Sequence, residues 1–241
     1  MIMQYYSQYQ QDYWVDKLLG EKNNGIFLDI GANDGVSISN TFFFEKNRNW
    51  TGICVEPIPE VYQKLIANRN CKSINACISD RRGKDTFYLI QGHNEMLSGL
   101  KSAYHDEHWK RILADTEKAG DKVTEFEVDC IGANDILEDS NYRHIDFLSI
   151  DTEGSEFKIL ETVDFDKFSF SIICVENPYG DPSFEAFLRP RGYSLCKIVD
   201  CDYLFVNKAE KSLWRNSRGY AVRTGVKMRY NKLKEKIKKL L

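Results

Sequence analysis

Four carboxylates, Asp29, Glu56, Asp151 and Glu176, each sit at the carboxyl end of a short apolar run. A carboxylate in that position can accept hydrogen bonds from hydroxyls or an ammonium, remove a proton, or ligate a hard cation. The first run, 26–30, opens onto Gly31-Ala32-Asn33-Asp34-Gly35, a glycine loop of the kind that lets backbone approach a ligand. A pyrophosphate would be repelled by Asp29 and Asp34, whereas a ligand carrying an ammonium and a sulfonium would be favoured. Glu56 ends the next run, 51–56, where an acid can accept from both hydroxyls of a ribose. An adenosine carrying a positive sulfur is S-adenosylmethionine; the competing reading is a tight strand-to-helix turn with incidental acids.

A second centre follows in Asp151-Thr152-Glu153-Gly154 and Glu176-Asn177-Pro178-Tyr179. Methyl transfer from a sulfonium is an in-line displacement, so an enzyme must position an acceptor and take its proton. Asp151 or Glu153 could be the general base. Alternatively Asp151, Glu176 and Asn177 could hold Mg²⁺ or a similar divalent ion, which would acidify a hydroxyl. Asn177-Pro178-Tyr179 is similar to the Asn-Pro-Pro-Tyr motif of enzymes that methylate exocyclic nitrogens. That motif belongs after the fourth strand, however, and here it follows the fifth.

These residues need elements to hold them. The apolar runs read as parallel strands buried on both faces, at 26–30, 51–56, 73–78, 145–150 and 170–176. Helices are expected at 37–46, 60–68, 132–138, 157–160 and 183–189. A closing hairpin, 193–199 and 203–207, makes the last strand antiparallel. The fold class is therefore α/β: a Rossmann-like, mostly parallel seven-stranded sheet with an antiparallel last strand, interrupted by an inserted hairpin and helix at about 84–131. A short helix within 1–24 covers the sheet. Its Gln8 and Gln11 could instead close over the methionine end of the cofactor, and Asn40, early in the first crossover helix, is a further cofactor-binding candidate. Pro57 and the Ser79-Asp80 pair lie at the next two strand ends, the latter where an adenine would sit; Asp80 could equally be a turn former. The insertion brings His105 to the acceptor side as a further catalytic candidate, the alternative being a solvated histidine.

Hydrophobic content of 42% and charged content of 29% over 241 residues fit one globular α/β domain with appendages. Seven cysteines without a CxxC pair give no zinc or disulfide framework. No apolar stretch is long enough to span a bilayer and no signal-type leader is seen, so a cytoplasmic chain is expected. From Lys208 to Leu241 there are twelve Lys or Arg against two Glu, a charge of +10, which leaves −13 on residues 1–207. The expected division is thus a methyltransferase domain over 1–207 and a basic, amphipathic tail over 208–241. The tail suits an anionic membrane surface; nucleic acid is disfavoured by the acidic body.

In order along the chain, Ser7-Gln8-Tyr9-x-Gln11-Asp12, Phe27-Leu28-Asp29-Ile30-Gly31-Ala32-Asn33-Asp34-Gly35, Val55-Glu56-Pro57, 145–154 and Val175-Glu176-Asn177 resemble the FkbM-type methyltransferases. The closing Asp202-Tyr203-Leu204-Phe205-Val206 fits too. The resemblance covers roughly 5–207 and departs from the family at Gln10, where a glycine is usual. It implies an S-adenosylmethionine-dependent O-methyltransferase acting on hydroxyls of sugars, glycans or similar metabolites. It places Asp29, Gly31, Asn33, Gly35, Glu56 and Asp80 around the cofactor, and Asp151 and Glu153 at the reaction centre. A catalytically silent scaffold that binds its partner through the tail is the alternative, and a nucleic-acid methyltransferase a third.

Overall fold

A computed structural model describes residues 3–80, 82–104 and 106–219. His105 and residues 220–241, and with them much of the basic tail, lie outside the described residues. Helix α1 (Gln11–Leu18) precedes strand β1 (Ile26–Ile30), helix α2 (Phe42–Arg48), strand β2 (Thr51–Val55), helix α3 (Pro59–Asn68) and strands β3 (Lys72–Ile74) and β4 (Cys77–Ile78). Then come β5 (Gly83–Gln91), β6 (Gly99–Leu100), α4 (Asp106–Ala119), β7 (Lys122–Ile131), α5 (Ala133–Ser140), β8 (His144–Ile150), α6 (Glu156–Thr162), β9 (Ser169–Glu176), α7 (Ser183–Leu188), β10 (Tyr193–Val199) and β11 (Asp202–Asn207).

The main sheet has the order β10-β11-β9-β8-β1-β2-β3. Its strands run parallel except β11, which is antiparallel to both neighbours. This is the Rossmann-like class I methyltransferase topology. Alternate residues of the central strands enter opposite cores, as a period of two requires. Leu28, Ile30, Leu148 and Ile150 join one hydrophobic cluster, and Phe27 and Phe147 join the other. Asp29 and Ser149, register partners on β1 and β8, therefore share the second face.

The third strand is shorter than the expected 73–78. Only β3 stays in the main sheet, while β4 pairs in parallel with β7 in a second, four-stranded sheet ordered β4-β7-β5-β6. Asn75 makes the break: its amide donates to the carbonyls of Glu56 (2.8 Å) and Pro57 (3.0 Å) and ties the chain across β2 instead of along it. The insertion is thus a sheet with its own core of Cys77, Phe87, Leu100, Val128 and Cys130.

Helix α2 begins five residues later than the expected 37. Asp34 accepts from the amides of Val36 (2.9 Å) and Ser37 (2.7 Å), and the Ser39 hydroxyl accepts from Thr41 and Phe42 amides, so 33–41 is held as a loop. At the other end, a helical stretch over 211–219 packs on the domain through buried Leu213, and Asn216 donates to the Leu18 carbonyl at 3.3 Å. Among the described residues no helix is long and apolar enough to cross a membrane.

Candidate active site

The carboxyl ends of β1, β2, β8 and β9 meet along one edge of the sheet. Gly31 is the pivot of that edge. It has φ +88°, and a Cβ there would lie 1.7 Å from the Asp151 carbonyl oxygen, so only glycine lets the loops after β1 and β8 touch. Gly35 has a different job from the one expected. Its missing side chain makes room for Leu65 of α3 and for Arg69, with a Cβ only 2.6 Å from Leu65 Cδ1, and it borders none of the clefts described below. Asp34 is spent on the loop turn, accepting from the Val36 and Ser37 amides and the Ser37 hydroxyl.

A cleft of about 730 Å³ lies beyond β1 and β2, between the two sheets. Its polar rim is Asn33, Glu56, Asp151, Thr152 and Glu153, and its apolar slot is closed by Ile78, Phe87 and Leu100. Glu56 accepts from the Asn33 amide at 3.0 Å and the Ile58 amide at 2.9 Å. Burial pushes its pKa up to about 7 against those two donors. Pro57 also lines this cleft, whereas Ser79 and Asp80 border a separate polar depression together with Ser155 and Lys158. The insertion's contribution to the slot, Phe87 and Leu100, was missed from sequence. The alternation along β5 was visible, but nothing local says which face meets a cleft.

Next to it, a smaller space is bounded by Gln11, Asp29, Gly31, Ala32, Asn33, Asn40 and Asp151. Asp29 accepts from the Thr41 hydroxyl at 2.6 Å, and burial raises its pKa. Gln11 donates to Asp202 at 2.6 Å while its own oxygen accepts from the Tyr9 amide, so it ties the amino-terminal segment to β11. Asn40 donates to Ser149 at 3.0 Å, but its Oδ1 is buried with no partner.

At the ends of β8 and β9, one carboxylate oxygen each of Asp151, Glu153 and Glu176 falls within 4.8 Å of the others. The expected trio is corrected here: Asn177 is not free to ligate, because its amide donates to the Asp181 carbonyl (3.0 Å) and accepts from the Asp181 amide (2.8 Å). Glu153 takes its place, presented from a left-handed backbone at φ +57° followed by Gly154. Glu156 staples the loop by accepting from the amides of Thr152 (2.8 Å) and Gly154 (3.0 Å). Burial first, and then Glu176, push Asp151 and Glu153 well above the usual carboxylate range. Burial and Glu156 raise Glu176 to about 7. Burial and crowding thus raise the proton affinity of all three carboxylates.

A third space, about 860 Å³, opens on the far side of this cluster and is walled by Phe157, Tyr179, Phe184, Glu176 and Glu153. Glu153 thus borders both large clefts. The residues fit S-adenosylmethionine: an apolar slot beside a buried carboxylate suits the nucleoside.

Among solved structures the chain is similar to the methyltransferase domain of METTL16, with 11% identity, a TM-score of 0.45 and coverage of 81% of this chain and 65% of that one. It thus spans slightly under two thirds of that structure's length. It is also similar to precorrin-6y C5,15-methyltransferase from Geobacter metallireducens GS-15, with 13% identity, a TM-score of 0.40 and coverage of 81% and 85%. A search of curated proteins finds no match. The Methyltransferase FkbM domain matches residues 29–195, well over half the sequence and the whole span of the strand-end acids from Asp29 to Glu176. The chain belongs to the FkbM methyltransferase family.

Proposed function

We propose that this methyltransferase acts on a hydroxyl of a sugar or glycan-like acceptor, with Glu153 as the group that takes the hydroxyl proton. The observation that carries the reading is the position of Glu153, which borders the cleft beside Glu56 on one side and the aromatic-walled space on the other. S-Adenosylmethionine, the cofactor of the family, supplies the electrophilic methyl group. Glu56 would accept from the ribose hydroxyls, with the apolar slot under Phe87 taking the base. On the other side, Phe157, Tyr179 and Phe184 offer ring faces for the apolar side of a sugar, and Glu176 offers an acceptor for its hydroxyls. Burial, and then repulsion from Glu176 and Asp151, keep the Glu153 carboxyl basic, so it would accept a proton as the hydroxyl attacks.

The test is methyl transfer to a panel of monosaccharides and glycosides by the wild type and by Glu153→Gln. The variant should lose about 10²–10⁴-fold in kcat while calorimetric affinity for S-adenosylhomocysteine stays within about twofold. Undiminished turnover removes Glu153 from proton transfer. The three clustered oxygens also favour one second reading, a divalent ion on Asp151, Glu153 and Glu176. Turnover abolished by a chelator and restored by Mg²⁺ would select it.

A further inference from the structure

We infer that the acceptor carries a protonated amine: an amino sugar whose ammonium lies against Glu176 and the rings of Phe157, Tyr179 and Phe184 while a neighbouring hydroxyl meets Glu153. The inference names the acceptor class of the reading above and rests on it. The space beyond the acidic cluster is bordered by four acids, Glu153, Glu156, Glu176 and Asp181, and by one lysine, Lys158. Three of these charges are already engaged. Glu156 accepts from the Thr152 and Gly154 amides, Asp181 accepts from the Ser183 amide at 2.8 Å, and Lys158 Nζ donates to the Ser102 carbonyl at 3.0 Å. Glu153 and Glu176 remain. Among the described residues neither forms an ion pair, and the Cys201 thiol, 3.8 Å from Glu176 Oε1, is a weak donor.

Two carboxylates that border one space without a counter-ion select among acceptors. A sugar acid or sugar phosphate would be repelled. A neutral sugar can donate hydroxyls to them but leaves both charges uncompensated, whereas an ammonium brings three donors and the opposite charge. The walls agree. Phe157 and Phe184 meet edge to face with centroids 5.2 Å apart, and Tyr179 borders the same space. Ring faces attract cations, and Tyr179 already has one over it, the Arg111 guanidinium at 5.9 Å. A divalent ion would use the cluster differently. Its third ligand would be Asp151, which borders the cleft beside Glu56 and the smaller space but not this one, and a hydrated ion has no use for three rings.

The experiment measures methyl transfer to methyl glycosides of glucose and galactose that carry at the second carbon an amine, an acetamide or a hydroxyl, with a chelator present throughout. Wild type should show a kcat/KM about tenfold or more higher for the amines than for the matched acetamides and alcohols, with the new methyl group found on oxygen by mass spectrometry. Glu176→Gln should reduce that ratio to about twofold or less. Tyr179 is 64% exposed, so its replacement tests the rings without disturbing the core. Tyr179→Leu should lower the ratio about threefold, and Tyr179→Phe should keep it. Equal kcat/KM across the series in wild type, or a ratio that survives Glu176→Gln, overturns the inference and leaves the hydroxyl reading intact. Turnover that the chelator abolishes assigns the cluster to a metal ion and overturns the inference alone. A methyl group found on nitrogen overturns the inference and the hydroxyl reading together, as does failure of every glycoside to react with protein that binds S-adenosylhomocysteine.

Discussion

The acids at the ends of β1 and β2 and those at the ends of β8 and β9 have the same sequence setting and opposite surroundings. Asp29 is held by the Thr41 hydroxyl and Glu56 by two backbone amides. Asp151, Glu153 and Glu176 are held against one another. Burial raises all five, but donors oppose the rise in the first pair, and repulsion adds to it in Asp151 and Glu153. On the function proposed above, the difference separates two tasks. A carboxylate with its oxygens fixed by donors is a rigid acceptor for a ligand; a carboxylate crowded by others is a base.

The two regions meet at Gly31, and breaking that junction should have the largest effect. Gly31→Ala puts a methyl group into the Asp151 carbonyl and a side chain at φ +88°. A loss of about 3 kcal/mol or more is expected in urea denaturation, and a stability within 1 kcal/mol of wild type, on the order of ordinary surface changes, would contradict the packing described.

The distinction between holding and reacting is sharpened by Glu56→Ala set beside Glu153→Gln. Removing the Glu56 carboxylate should weaken S-adenosylhomocysteine binding about tenfold or more by calorimetry. The Glu153 change should leave binding alone. Equal binding losses in the two variants would erase the contrast.

The smallest effect is expected from Glu176→Gln, read through pH. Glu176 and Glu56 ordinarily titrate near 4.5 and are raised to about 7 in the folded chain. Between those values the folded state binds more protons than the unfolded one, so stability should fall as pH rises through that window. Glu176→Gln removes one of the two contributions and should raise Tm by a few degrees at pH 8 with little change at pH 4. The same substitution relieves Glu153 of a negative neighbour, so the midpoint of the rise in kcat/KM with pH should move down. A Tm that changes equally at both pH values would show the effect to be packing alone.

Other parts of the molecule show where reading along the chain stops. The strand ends, the glycine loop and the closing hairpin were legible because each depends on neighbours within a few residues: apolar runs, a turn that tolerates positive φ, and an Asp200-Cys201 reversal. The break after Ile74 was not, since it depends on an Asn75 amide reaching across to Glu56 and Pro57. Nor was the exchange of Asn177 for Glu153 in the acidic trio. Asn177 follows Glu176 directly, yet its amide is consumed by Asp181, while Glu153 is brought in from another strand.

By itself, then, the amino-acid sequence determined the fold class, the order of its strands and the positions of the acids at strand ends, since hydrophobic period and turn chemistry are properties of short stretches. Tertiary structure alone decided which acids touch, which carry donors and which face a cleft. Those depend on the register of β1 against β8 and on the second sheet closing over the first, contacts between residues far apart in the chain. Charge and burial act through space, so the chemistry of a carboxylate follows its neighbours in the fold and not its neighbours in the chain.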